Sequence, residues 1–132
     1  MSQENLAVIR GVYERFAGGD FTASLAVADR HVLFVLPPGF PESGTYLGVE
    51  ELIAYTRGFL EPWSRITIEA EELEPAGDSV FAAVCQRGEG EGSGASTEFR
   101  YFQVWSFRGG RVIRLENFRE RDAALEASGL AR

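Results

Sequence analysis

The sequence predicts a single α+β domain, and three observations carry that prediction. Apolar residues recur at helical spacing in three stretches before Pro62, and from Ile66 onward the period changes to two. The late strands are joined by short turn signals, Pro75–Asp78 and Gly109-Gly110, which suit antiparallel hairpins rather than β-α-β crossovers. The 132 residues contain no repeat and no linker, so residues 1–132 read as one domain.

The elements follow in order. Leu6, Ile9, Tyr13 and Phe16 make one helical stripe, widened by Val8 and Val12, so residues 3–17 read as a helix stopped by Gly18-Gly19. Asp20 suits the cap of a second, short helix over 21–28. The continuous apolar run from His31 to Leu36 reads as a buried strand. Pro37, Pro38, Gly39 and Pro41 force a loop. A third helix is expected over 49–61, ended by Pro62. Ile66, Ile68 and Ala70 then alternate with Thr67, Glu69 and Glu71 in a strand with one wet face. Ser79–Arg87 is a more apolar strand, GEGEGSG at 88–94 a mobile hairpin loop, 96–108 a long strand and Arg111–Arg119 the last. Asp122 is expected to cap a C-terminal helix that Gly129 ends. The predicted order is α-α-β-α-β-β-β-β plus a short C-terminal helix.

Composition excludes several function classes. The formal net charge of −7 argues against nucleic acid and anionic membranes as partners, because both need basic patches. The Glu69–Glu74 cluster reads as a solvated face. All 13 basic residues are arginines, so no lysine Schiff base can form. One cysteine, Cys85, rules out an internal disulfide or CxxC site, and one histidine, His31, rules out a histidine triad. No metal or other cofactor is expected. The opening MSQENLAVIR lacks the basic and apolar regions of a signal peptide, which predicts a cytoplasmic location.

Three stretches together resemble SnoaL-like members of the nuclear transport factor 2-like superfamily: the opening helix into Gly19-Asp20, PPGFPESGTYLGVEEL at 37–52, and SFRGGRVIRLENFRERDAALEASGL at 106–130. The resemblance implies a curved, mostly antiparallel sheet wrapped against three helices around a cone-shaped pocket. It also implies a homodimer through the outer sheet face, where Phe81, Ala83, Cys85, Phe102, Val104, Val112 and Phe118 are expected.

The ketosteroid isomerase relatives use a carboxylate base, a tyrosine and a protonated aspartic acid. By the resemblance those positions fall on Leu36, Val12 and Gln103, so steroid isomerase activity is not expected. Tyr13 is the neighbour of Val12, turned about 100° around the helix. No cyclase base can be placed by motif. An Asp-Arg-Asp cluster of the epoxide hydrolase kind is also not expected, since each of the four aspartates sits at an element end.

Alternation puts Phe99, Tyr101, Gln103, Trp105 and Phe107 on one face, which the resemblance makes the pocket face. The same matching turns Ile113, Leu115, Asn117 and Arg119 inward. Gln103 either meets a ligand or pairs with a neighbour such as Tyr13, and Asn117 poses the same choice. Arg119 either holds an anionic ligand or snorkels to the surface. Tyr55 and Trp63 either roof the pocket or belong to the core, and Tyr46 stands near its mouth. His31 is expected at the sheet edge and Cys85 as a buried inert thiol.

Two functions are expected on this basis. One is a cofactor-independent cyclase-, isomerase- or hydrolase-like enzyme for a small apolar or aromatic molecule. The other is a non-catalytic binder of such a molecule, or a dimerisation module.

Overall fold

The computed structural model describes residues 2–92 and 94–130. Its element order is α1 (Ser2–Ala17), α2 (Ala23–Val27), β1 (Ala28–Leu36), β2 (Gly44–Leu47), α3 (Gly48–Leu60), β3 (Trp63–Ala76), β4 (Ser79–Gly90), β5 (Ser96–Arg108), β6 (Arg111–Phe118) and α4 (Arg121–Ser128). The six strands form one curved sheet in the order β2-β1-β6-β5-β4-β3. Every pair is antiparallel except β1 with β6. The α+β class and the helix-then-hairpin order stand as expected.

Helix α1 buries Leu6, Ile9, Val12, Tyr13 and Phe16, the stripe that the helical spacing predicts. It lies against β3 and β4. Between Arg108 and Arg111, Gly109 and Gly110 have φ of 61° and 82°. That pair of left-handed residues makes the tight hairpin that aligns β5 with β6.

Several boundaries differ from the expectation. Helix α2 shortens to five residues, and β1 begins at Ala28. Asp20 lies ahead of that helix; its carboxylate accepts the N–H and hydroxyl of Thr22 and pairs with Arg15. The additional strand is β2, just ahead of the third helix. The proline-rich loop reverses the chain, so Thr45 and Tyr46, both good strand formers, pair with Val35 and Phe34. Gly48, at φ 89°, then turns the chain into α3, and Glu51 accepts the N–H of Leu47 at 2.7 Å. The loop expected at 88–94 contracts, because β4 continues through Gly90; Ser93 lies outside the described residues. Asp122 does not cap α4. Glu120 occupies the N-cap position without a side-chain bond, and Asp122 sits in the first turn, where its charge suits the helix dipole. Gly129 ends α4 in the left-handed conformation, at φ 88°.

Two irregularities decide which side chains face inward. The β5–β6 ladder steps from Ser106–Arg114 to Phe107–Val112, leaving Ile113 as an extra residue. Val112 therefore joins the inner core instead of the outer face expected for it. On β3 the ladder steps from Ala70–Val84 to Glu72–Ala83, leaving Glu71 without a ladder partner. Glu71 and Glu72 then both reach outward-facing arginines, Arg100 and Arg121.

The outer face carries its own cover. Phe81, Ala83, Val104 and Ala124 form a second buried cluster, packed by Phe102, Phe118 and Leu125. Helix α4 lies over it, and the Arg121 guanidinium sits 5.3 Å from the Phe81 ring centroid and 5.9 Å from that of Phe102. Further along, Arg87 and Arg100 bridge Glu69, Glu71 and Glu98. Cys85, cross-strand neighbour of Glu69 and Arg100, is fully buried. The apolar outer face on which the dimer expectation rests is thus largely covered within the chain. Among the described residues, no helix is long and apolar enough to cross a membrane.

Candidate functional site

The inner face of the sheet, α2, α3 and the loop after β1 surround a cavity of about 190 Å3. Its position follows from strand parity. Val80, Ala82, Val84 and Gln86 alternate inward on β4, and Phe99, Tyr101, Gln103 and Trp105 do so on β5. Small side chains at 80–84 and large ones across the ladder leave room above the sheet. Trp63 closes one side. Its ring lies over Gly88, where an added Cβ would stand 2.6 Å from the indole, so glycine is required for this close approach.

Polar groups at the buried end form one continuous chain. Trp105 Nε1 donates to Tyr13 Oη at 3.0 Å, and Tyr13 Oη donates to Gln103 Oε1. Gln103 Nε2 donates to Asn117 Oδ1 at 2.9 Å, and Asn117 Nδ2 donates to the Val35 carbonyl at 3.0 Å. Asn117 is 1% exposed and Gln103 7%, so each must be satisfied from within. Each amide nitrogen carries a second hydrogen, and both residues line the cavity. A separate pair, Tyr101 Oη donating to Gln86 Oε1 at 3.1 Å, lines the same cavity.

Burial pushes the Tyr13 phenol well above its ordinary range, with the Trp105 bond opposing and Tyr101 reinforcing the shift. Tyr101 and Tyr55 are also pushed up, first by burial. The Glu42 charge is near enough to raise Tyr55 further. These phenols remain neutral at physiological pH, and Tyr13 and Tyr101 donate to Gln103 and Gln86.

The exposed end is built differently. Phe40, Pro41 and Glu42 line it from the loop, facing Tyr55 and Phe59 of α3. Among the described residues, Glu42 is the one carboxylate in the lining, and no arginine or histidine lines the cavity. The Glu42 backbone has φ 60°, the single left-handed non-glycine residue among those described, and Tyr46 Oη donates to its carbonyl at 2.6 Å.

The sequence-predicted site residues divide accordingly. Leu36, Tyr55, Trp63, Tyr101, Gln103, Trp105 and Asn117 line the cavity. Val12 does not; it is buried in the core. Tyr13 stands behind the lining and holds Gln103. Arg119 does not turn inward either: it is exposed, its guanidinium 5.6 Å from the Phe99 ring centroid and directed at the Gly39 carbonyl. The strand ends at Phe118, so the alternation that places Asn117 inward no longer governs residue 119. His31 is exposed on β1, ahead of the Leu33–Leu36 stretch that β2 pairs with, and does not line the cavity. Sequence reasoning missed Gln86, Phe40 and Glu42. Parity along β4 was the available signal for Gln86. For the loop residues no periodic signal exists. Among the described residues, no three His, Cys, Asp or Glu side chains gather to hold a metal ion.

Comparison with known proteins agrees with this architecture. A nuclear transport factor 2-like protein of unknown function from Burkholderia pseudomallei superposes with a TM-score of 0.78 at 23% identity, over 93% of this chain and 95% of that one. TerC, co-crystallised with polyporic acid, gives 0.76 at 20% identity over 96% and 98%. A protein of ketosteroid isomerase-like fold from Catenulispora acidiphila, in complex with trimethylamine, gives 0.72 at 15% identity over 93% and 92%. No curated protein matches the chain significantly. Residues 9–115 match the model of the SnoaL-like domain, and the chain belongs to that family.

Proposed function

We propose that the cavity binds a small apolar or aromatic molecule, with the neutral amides of Gln103 and Asn117 orienting an oxygen of that molecule. One observation carries this reading: a cavity of about 190 Å3 with aromatic walls and a buried end made only of neutral hydrogen-bonding groups. A dry cavity of about 150 Å3 suffices for benzene, so a single-ring molecule is the matching size. The bound molecules of two fold neighbours, polyporic acid in TerC and trimethylamine in the Catenulispora protein, support a small-molecule role for this pocket shape.

Titration with neopentylbenzene, followed through the fluorescence of Trp63 and Trp105, tests the reading. Saturable binding is expected, and it is expected to vanish in Thr56→Phe, which fills the cavity from α3. Equal responses in both proteins would refute it.

A second reading is turnover of the cyclase or isomerase type, which the SnoaL-like fold suggests. Glu42 favours it, as the one carboxylate in the lining and thus the one proton acceptor of that kind the lining offers. This reading predicts that E42Q abolishes turnover of a substrate while weakening its binding by no more than about threefold.

A further inference from the structure

Among the described residues, the walls of the cavity carry charge of one sign only. Glu42 lines it, whereas Arg119 does not: its guanidinium lies over the ring of Phe99, a wall residue, and is directed at the Gly39 carbonyl. An anionic ligand would meet a carboxylate and no cation. The chain as a whole, at −7, adds to that bias.

Aromatic rings concentrate near the same carboxylate. Tyr55 packs against Phe34 at a centroid distance of 4.8 Å, against Tyr46 at 5.1 Å and against Phe59 at 5.9 Å. Phe40 meets Phe99 at 5.5 Å and Tyr101 at 5.7 Å. Ring faces carry negative quadrupole density that attracts a cation within about 6 Å, and a weakly hydrated ammonium gains most from it. The Glu42 backbone is held by Tyr46, itself a member of the first ring group, so carboxylate and rings are tied together.

We propose that the ligand of this cavity carries an ammonium group, seated at the exposed end between Glu42 and the rings of Phe34, Phe40 and Tyr55, with its apolar body directed toward Gln103. This deepens the small-molecule reading above and rests on it. The rings and the carboxylate select an amine over its neutral counterpart, while the amide end accommodates a hydrogen-bond acceptor on the body of the molecule.

The test compares benzyltrimethylammonium with neopentylbenzene, in which carbon replaces the nitrogen at the same shape. Both are titrated into the wild-type chain, E42Q and Tyr55→Leu. The cation's affinity is expected to fall about threefold in E42Q, the scale of one exposed ion pair, and about tenfold in Tyr55→Leu. Neopentylbenzene affinity is expected to stay within about twofold in E42Q. Added salt weakens the cation alone. If neopentylbenzene binds and the cation does not, or if the cation binds E42Q as well as wild type, the ammonium assignment is overturned and the small-molecule reading stands. If neither compound binds, that reading fails and takes the ammonium assignment with it.

Discussion

The two ends of the cavity are made from opposite materials. At the buried end, Trp105, Tyr13, Gln103 and Asn117 satisfy one another across three elements, α1, β5 and β6, and reach β1 through Val35. At the exposed end, one loop supplies Phe40, Pro41 and Glu42, and Tyr46 tethers it through a bond to the Glu42 carbonyl. A side chain that completes a buried network is held by the fold and holds the fold in return. A side chain on a loop rim can change with little effect on stability, so selectivity for a ligand is more freely adjusted there. Substitutions at the buried end are therefore expected to register first as stability, and those at the rim as affinity.

The largest expected effect is Trp105→Ala. The indole is 1% exposed, packs edge-on to Tyr13 at 5.9 Å and donates to its hydroxyl. Removing it costs about 3–5 kcal/mol, visible as a lowered urea midpoint. Gln103→Leu comes next. It keeps the volume but removes the donor to Asn117 Oδ1 and the acceptor of the Tyr13 hydroxyl. A loss of about 1–3 kcal/mol follows, and a variant as stable as wild type would show that the network is not a structural unit.

Alkaline pH tests the same end by a different route. Tyr13, Tyr55 and Tyr101 all have their ionisation raised in the folded chain by burial. Above the ordinary phenol range near 10, the unfolded chain gives up these protons and the folded chain keeps them. The unfolded state then binds fewer protons, so stability is fully present below about pH 10 and falls as pH rises beyond it. The phenolate absorbance of these residues is expected to appear together with unfolding, and Tyr13→Phe to make the decline shallower. Phenolate absorbance rising while the fold persists would contradict the burial argument.

Much of this is legible in the sequence wherever a period exists to read. The α1 stripe, the inward parity of β5 and the Gly109-Gly110 hairpin are local patterns that tertiary packing preserves. Tyr13 is a candidate partner of Gln103 from the sequence, and the fold joins the two. What period cannot reveal is a break in period. The extra residues at Glu71 and Ile113 shift parity within a strand, and Val112 changes faces for that reason. Strand β2 is hidden because a four-residue edge strand directly followed by a helix has no pattern of its own. The outer cover of α4 is hidden too, since an apolar sheet face reads the same whether its partner is a helix of the same chain or a second subunit.

The smallest stability effect is expected at Glu42, and that is what makes the residue informative. Its side chain is exposed, on a loop rim where substitutions disturb the fold least. E42Q keeps the shape and the left-handed backbone, so its unfolding midpoint is expected to match wild type within about 0.5 kcal/mol. E42G relieves the positive φ of 60° but enlarges the freedom of the unfolded loop, and these contributions oppose each other at a scale of about 1 kcal/mol. If E42Q unfolds like wild type and still loses affinity for a cationic ligand, the division of labour between the two ends holds. If E42Q instead destabilises the chain as Gln103→Leu does, the rim is part of the structural network, and the boundary between the two ends must be moved outward past the loop.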